Sequence, residues 1–235
     1  MSLNMPTTPL RFALLTALLG LVLTVPPSFA NISMDQMILD FGPNSTDHRD
    51  ITIFNHGDET SYVDVQVFQV LQPGTPDEAR QKVTNLDELS LLATPAKIIL
   101  GPGQQKLLRI VNLKARDSVD RIYRIAVTPI PGEFETSGTA IKVMVGYEAL
   151  VIIRPPQPAA ALSWQRNGTK LTVTNSGNSN VLLRKGTQCT SPEACEELPG
   201  KRMYANSEWV LELPINSPGQ YEIYDGQQAS QINFD

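Results

Sequence analysis

The sequence predicts an all-β chain folded as two β-sandwiches in series, and three observations carry that expectation. Short Val/Ile/Leu-rich segments with alternating polarity recur along the 235 residues, closed by members of a set of 15 glycines and 18 prolines. Extended stretches of helical periodicity are hard to find. The strand pattern stops at a proline-rich junction, Arg154 to Pro158, and then restarts, as it would where one sandwich ends and a stiff linker leads to the next.

The N-terminus is of a different kind. Arg11 precedes an uncharged apolar run from Phe12 to Leu23, followed by Pro26, Pro27 and small residues at Ser28 and Ala30. A charged start, a short apolar run and a small-x-small end read as a secretory signal peptide over residues 1–30. An apolar run of about 12 residues is too short to span a bilayer. The mature chain is therefore expected to start at Asn31, in a secreted or periplasmic compartment.

Residues 31–156 are assigned to the first sandwich. Asn31 to Phe41 reads as one kinked strand, Asp50 to Asn55 and Ser61 to Val70 as alternating strands, and Gln72 to Glu88 as a long polar loop. Leu92–Leu100 and Gln104–Leu113 flank Gly101-Pro102-Gly103, where proline presets φ and glycine accepts φ > 0, as a type II turn requires. Arg121–Ile130 and Ala140–Arg154 complete the set. About seven strands in roughly 125 residues is the size of an immunoglobulin-like sandwich. Residues 157–235 repeat the pattern on a smaller scale, with Asn167-Gly168 and Asn175-Ser176-Gly177 as hairpin-type turns. The two cysteines of the chain, Cys189 and Cys195, are expected to form a local disulfide outside the cytoplasm. One such pair with no nearby histidine is an incomplete metal-ligand set.

Several function classes find no support. A net charge of −5 with no Lys/Arg run argues against nucleic-acid binding. The histidines, His48 and His56, sit in polar turn-like segments and build no nucleophile–base constellation. No glycine-rich loop joins a strand to a helix as phosphate cradles require. The chain is expected to be no enzyme and to take no metal, cofactor or small-molecule substrate. Trp164 and Trp209 lie in alternating strands and read as core.

The stretch from Ile141 to Arg154 is the most informative. At strand period, Ile141, Val143 and Val145 share one face, between a polar glycine-bearing loop and the hinge. Pattern alone admits an ordinary core strand, the commoner case, or an apolar row offered to another chain.

Thr94-Pro95, Leu100, Pro102-Gly103 and Arg109, in that spacing, resemble the signature of the periplasmic pilus chaperones of the chaperone–usher pathway. Ile122-Tyr123-Arg124-Ile125 and Tyr147-Glu148-Ala149-Leu150-Val151 extend the similarity. Gly168 to Asn178 with the close cysteines is similar to the alternative branch that includes class 5 fimbriae. The resemblance implies two immunoglobulin-like domains with a cleft between them, a periplasmic location, and pilin subunits and an outer-membrane usher as partners. It also implies that the last strand of domain one completes the unfinished sandwich of a pilin subunit, by β-augmentation. Carried onto this chain, the donor residues are Ile141, Val143 and Val145.

One departure matters. Better-known members bind the subunit's terminal carboxylate through a basic pair, whose places here are taken by Ile38 and Glu148. Arg124 is expected opposite Gly146 to Glu148 and is the leading substitute, with Arg109 and Arg154 as further candidates; a cross-strand pair between Arg124 and Glu148 is the competing reading. The alternative function is a secreted two-domain adhesin or pilus structural subunit, for which an N-terminal rather than a mid-chain apolar row would be expected.

Overall fold

The computed structural model describes residues 32–82, 89–131, 143–191 and 193–235. The predicted signal peptide and Ile141 lie outside the described residues. Eighteen strands and no helix are found among those described. The first ten are β1 (Ile32–Met34), β2 (Ile38–Phe41), β3 (His48–Asn55), β4 (Ser61–Leu71), β5 (Ala79–Lys82), β6 (Leu91–Thr94), β7 (Lys97–Leu100), β8 (Gln105–Asn112), β9 (Arg121–Ile130) and β10 (Tyr147–Ile153). Then follow β11 (Leu162–Asn167), β12 (Lys170–Asn175), β13 (Val181–Ser191), β14 (Ala194–Leu198), β15 (Lys201–Met203), β16 (Ser207–Glu212), β17 (Gly219–Tyr224) and β18 (Ala229–Phe234).

The first sandwich packs a sheet of order β1-β3-β8-β6 on one of order β2-β10-β9-β4-β5, with β7 also on β4. Alternate residues from both fill its core, among them Phe41, Ile51, Ile53, Leu100, Leu108, Ile110, Ile125 and Val151, as strand period dictates. The second pairs β11-β12-β16 with β14-β13-β17-β18, β15 adding to β13. Leu171, Val173, Leu183, Tyr221 and Phe234 fill this core, with Trp164 and Trp209 packed against it. The two sandwiches share no strand.

Several expectations are met in detail. Gln104 N donates to Gly101 O at 3.1 Å while Gly103 holds φ at 67°, the bond and the conformation of a type II turn. Cys189 and Cys195 form a disulfide between facing residues of β13 and β14.

Three details differ. The expected first strand is two strands in different sheets: Asp35 binds Thr52 through both its N–H and its carboxylate, which ends β1, and the chain crosses to become β2. The polar stretch after β4 contains β5, hydrogen-bonded to β4. Asn175 to Gly177 is no hairpin turn, because β12 and β13 belong to different sheets. A Cβ on Gly177 would lie 2.3 Å from Ala159 O, so this glycine lets the post-hinge linker pack closely.

Candidate functional site

β10 is the seam of the first sandwich. It lies between β9, antiparallel, and β2, parallel. Ala149, Val151 and Ile153 point into the core, while Leu150 and Ile152 on the opposite face are also covered. A strand buried on both faces reads as a continuous apolar run, which is why 149–153 carries no polar residue.

The strand was expected to begin near Ala140; the described strand begins at Tyr147, and residues 143–146 carry no strand pairing. The cause is a lack of neighbours. β2 reaches only to Ile38, opposite Leu150. On the other side, continuing the register of Tyr147 with Val127 sets Val145 across from Pro129, which has no N–H to donate. Gly146 lies beside Val127 and Thr128, consistent with that register. Val143 is 79% exposed and Val145 43%. Both continue the alternation of Tyr147, Ala149 and Val151, whose side chains enter or adjoin the core.

The outer face of β10, β9 and β4 turns toward the second sandwich. Val70, Ile122, Leu150 and Ile152 form a buried cluster with Tyr204, which lies between β15 and β16. Next along β9 stands Arg124, opposite Leu150 on one side and Phe68 on the other. The expected position, opposite Gly146 to Glu148, is thus corrected by two to four residues along β10. Register across a hairpin is set by its connection, and the sequence of 131–140 does not specify that geometry. The alternative pairing of Arg124 with Glu148 is not found: Glu148 Oε1 meets Arg80 Nη1 of β5 at 2.6 Å. Arg124 makes no hydrogen bond or ion pair with any of the described residues. Its charge works against the burial that pushes the neighbouring Tyr204 hydroxyl up.

The other two candidate cations have different surroundings. Arg109 forms two 2.8 Å hydrogen bonds to Asp50, its cross-strand neighbour, and holds that carboxyl below its usual value. Leu108 and Ile110 face the core, so Arg109 lies on the outer face of the other sheet, away from β9 and β10. Arg154 is only 2% exposed. Its guanidinium donates to both Asp40 oxygens at 2.8 Å, to Ser179 Oγ at 2.8 Å and to Asn180 O at 3.1 Å. Two partners belong to the second sandwich, so Arg154 is a tie between the sandwiches.

Other bonds reinforce that tie. Asp120 accepts from Ser179 Oγ at 2.9 Å and from Asn180 N at 2.6 Å; burial raises its pKa and these bonds oppose the rise. Asn178 Nδ2 donates to Ser118 O and Gln157 O, and Arg116 Nη1 donates to Phe41 O and Arg154 O. Of the three predicted cations, only Arg124 sits on the cleft-facing sheet with its donors uncommitted among the described residues. The sequence pattern did not reveal Arg80, whose strand looked like loop and whose partner lies 68 positions away.

The family described as "Pili and flagellar-assembly chaperone, PapD N-terminal domain" matches residues 34–159. A CFA/I fimbrial protein of Escherichia coli is 28% identical over 148 residues, which cover 60% of this chain and 62% of that protein, so the match spans somewhat less than two thirds of that relative. The class 5 fimbriae chaperone CfaA superposes with a TM-score of 0.63 at 19% identity, covering 87% of this chain and 99% of that one. The Salmonella enterica SafB chaperone structure, solved with the SafA pilin, gives 0.62 at 15% identity, with 88% and 97% covered.

Proposed function

Since this chain belongs to the pili and flagellar-assembly chaperone family, we propose that it is a periplasmic chaperone for fimbrial subunits, capping each by lending it the segment that runs into β10. The observation that carries this reading is the continuity of one side-chain row. Ala149, Val151 and Ile153 complete the chaperone's own core. At the alternate positions upstream, Val145 and Val143 have run past that core and stand exposed, and Ile141 comes next in the pattern. Another chain with an open apolar groove could accept these side chains as this sandwich accepts their neighbours. Burying each Val or Ile contributes roughly 1.5–3 kcal/mol.

The backbone supports the same use. The edge of β10 beside residues 143–149 is unoccupied by β2, which starts opposite Leu150. A client strand added there gains main-chain hydrogen bonds, the sequence-tolerant part of β-augmentation. A pilin left with such an edge and groove uncovered would aggregate, so its capped form would be the one handed to an outer-membrane usher. Solved complexes of relatives, SafA pilin with SafB among them, are consistent with pilin clients. In this reading residues 1–30 direct export, 31–156 form the donating domain and 157–235 the second wall of the cleft.

Changing Ile141, Val143 and Val145 together to Asp tests the mechanism. The variant should stay folded, since the two described positions are exposed, yet fail to co-purify with a co-expressed fimbrial subunit from the periplasm. Undiminished recovery of the subunit would reject strand donation.

A further inference from the structure

Pro129 sits where a sheet does not ordinarily accept proline. β9 is an inner strand, between β10 and β4, and a proline there removes a ladder donor. Two backbone bonds show on which side the donor is lost. Val65 N donates to Ala96 O, beside β7 and away from β9. Its alternates Tyr62 and Asp64 therefore turn their N–H and C=O toward β9, opposite Ile130 and Thr128. Leu150 N donates to Met37 O, beside β2 and again away from β9. Its neighbours Tyr147 and Ala149 therefore turn theirs toward β9, opposite Val127 and Ile125. Both bonds give the same parity: at this end of β9, even-numbered residues serve β4 and odd-numbered residues serve β10.

The prolines of this segment fall on odd positions. Pro129 faces the β10 side, and Pro131, just past the end of β9, comes next in that series. Continuing the register of Tyr147 with Val127 sets Val145 against Pro129 and Val143 against Pro131, each as a pair that would exchange two bonds. A proline in such a pair can accept but not donate, so the carbonyls of Val143 and Val145 find no donor on β9. The ladder to β4 loses nothing and runs on to Ile130, whereas the pairing with β10 ends at Val127. The two positions that lose a ladder bond are thus Val143 and Val145, the same two whose side chains stand exposed.

We propose that Pro129 and Pro131 are positioning residues that keep the donated segment unlaced from its own sheet and thereby set how long a client stays capped. This rests on the strand-donation reading above and adds to it how the cap is released. By the same parity, Met144, Gly146 and Glu148 turn their backbone groups to the open edge, so a client strand can bond there while β9 contributes little. The client then supplies most of the segment's order, and the cost of that ordering subtracts from the binding free energy. A cap held in this way dissociates sooner than one presented on a completed hairpin, because differences between related complexes appear chiefly in the dissociation rate.

The test restores the missing donors. Pro129→Val keeps an apolar side chain at a half-buried position, and Pro131→Thr alters an exposed one beyond the end of β9; the second change alone is the safeguard should the pair fail to fold. In hydrogen exchange of the free mature protein, the amides of Val143 and Val145 should gain about tenfold or more protection in the double variant, and the restored amides at 129 and 131 should be protected as well. Each protein is then co-expressed with a fimbrial subunit, and the complex purified from periplasm is challenged with an excess of fluorescently labelled unmutated chaperone. The double variant should exchange its subunit about tenfold or more slowly, the scale of two added hydrogen bonds, and Pro131→Thr alone by a smaller factor. No gain in protection overturns the proposal at its first step, since the prolines are then not what keeps the segment unlaced. Gained protection with an unchanged exchange rate overturns their control of the cap's lifetime; strand donation still stands if the triple Asp variant loses the subunit. Retention of the subunit by the triple Asp variant removes strand donation itself, and the lifetime role with it.

Discussion

Replacing Arg154 by Met should loosen the two sandwiches while leaving the cores intact. Arg154 is 2% exposed and its main partner Asp40 26%, and its four donated bonds reach Asp40, Ser179 and Asn180. Methionine keeps much of the apolar stem but leaves the Asp40 carboxylate without its counter-charge. Breaking a buried pair from one side costs roughly 3–5 kcal/mol. Asp40 can partly rehydrate, so the lower end, about 3 kcal/mol, is the working figure. At about 2–4 °C per kcal/mol for a chain of this size, the main calorimetric transition should fall by about 6–12 °C. It should also broaden or split, because the second sandwich loses a partner that couples it to the first. Small-angle scattering should show a wider distribution of interdomain distances. Combining Arg154→Met with Asp40→Leu should recover much of the loss, since removing both charges is far less costly than stranding one. A single-variant loss under about 1 kcal/mol, the scale of a surface pair, would refute the claim that Arg154 couples the sandwiches.

Two further perturbations bear on other parts of the molecule. Gly74, with φ of 76°, sits where a Cβ would come 2.9 Å from Tyr204 Cδ2; Gly74→Ala should destabilise by about 1–3 kcal/mol through backbone strain and overpacking, read as a lower urea midpoint, and an unchanged midpoint would show that the β4–β5 turn does not press on the second sandwich. Arg109 depresses the Asp50 carboxyl, and a lowered carboxylate contributes stability that is present above its unfolded value of about 3.9 and lost as pH falls through the lower folded value. Asp50→Asn should therefore flatten the acid limb of a melting-temperature profile below about pH 4, and profiles that run parallel to that limit would count against the pair.

What could be read in advance follows from how local each cause is. The type II turn at Pro102-Gly103 was legible because two adjacent residues carry its whole requirement. The core positions of β8 and β9 were legible because period 2 is written in the residues themselves. The break between β1 and β2 was not, since it depends on Asp35 finding Thr52, on another strand. β5 was hidden for a similar reason: Arg80, Gln81 and Lys82 have no apolar alternation, and only pairing with β4 makes them a strand. The fate of the cations was least legible of all. Arg109, Arg124 and Arg154 look alike in sequence, but sheet, register and the second sandwich give them an exposed pair, a position without a partner among the described residues, and a buried tie.

The two ends of β10 have opposite surroundings, and the contrast bears on the proposed strand donation. At the C-terminal end, β2 and β9 flank it, the core and Tyr204 cover its faces, and Arg154 fastens it to the second sandwich. At the N-terminal end it loses β2, then meets Pro129, and its apolar row comes out of the core exposed. Under the proposed strand donation a client would pair with this end, and fixing each donated residue would cost roughly 1–2 kcal/mol of backbone entropy. Three buried apolar side chains at roughly 1.5–3 kcal/mol each, with the main-chain bonds, are of the size needed to offset that cost. In that reading, opposing contributions of similar size suit a cap that is later exchanged for another strand. Rigidity at one end thus sets the direction of the offered row, and the missing neighbours at the other keep the row available.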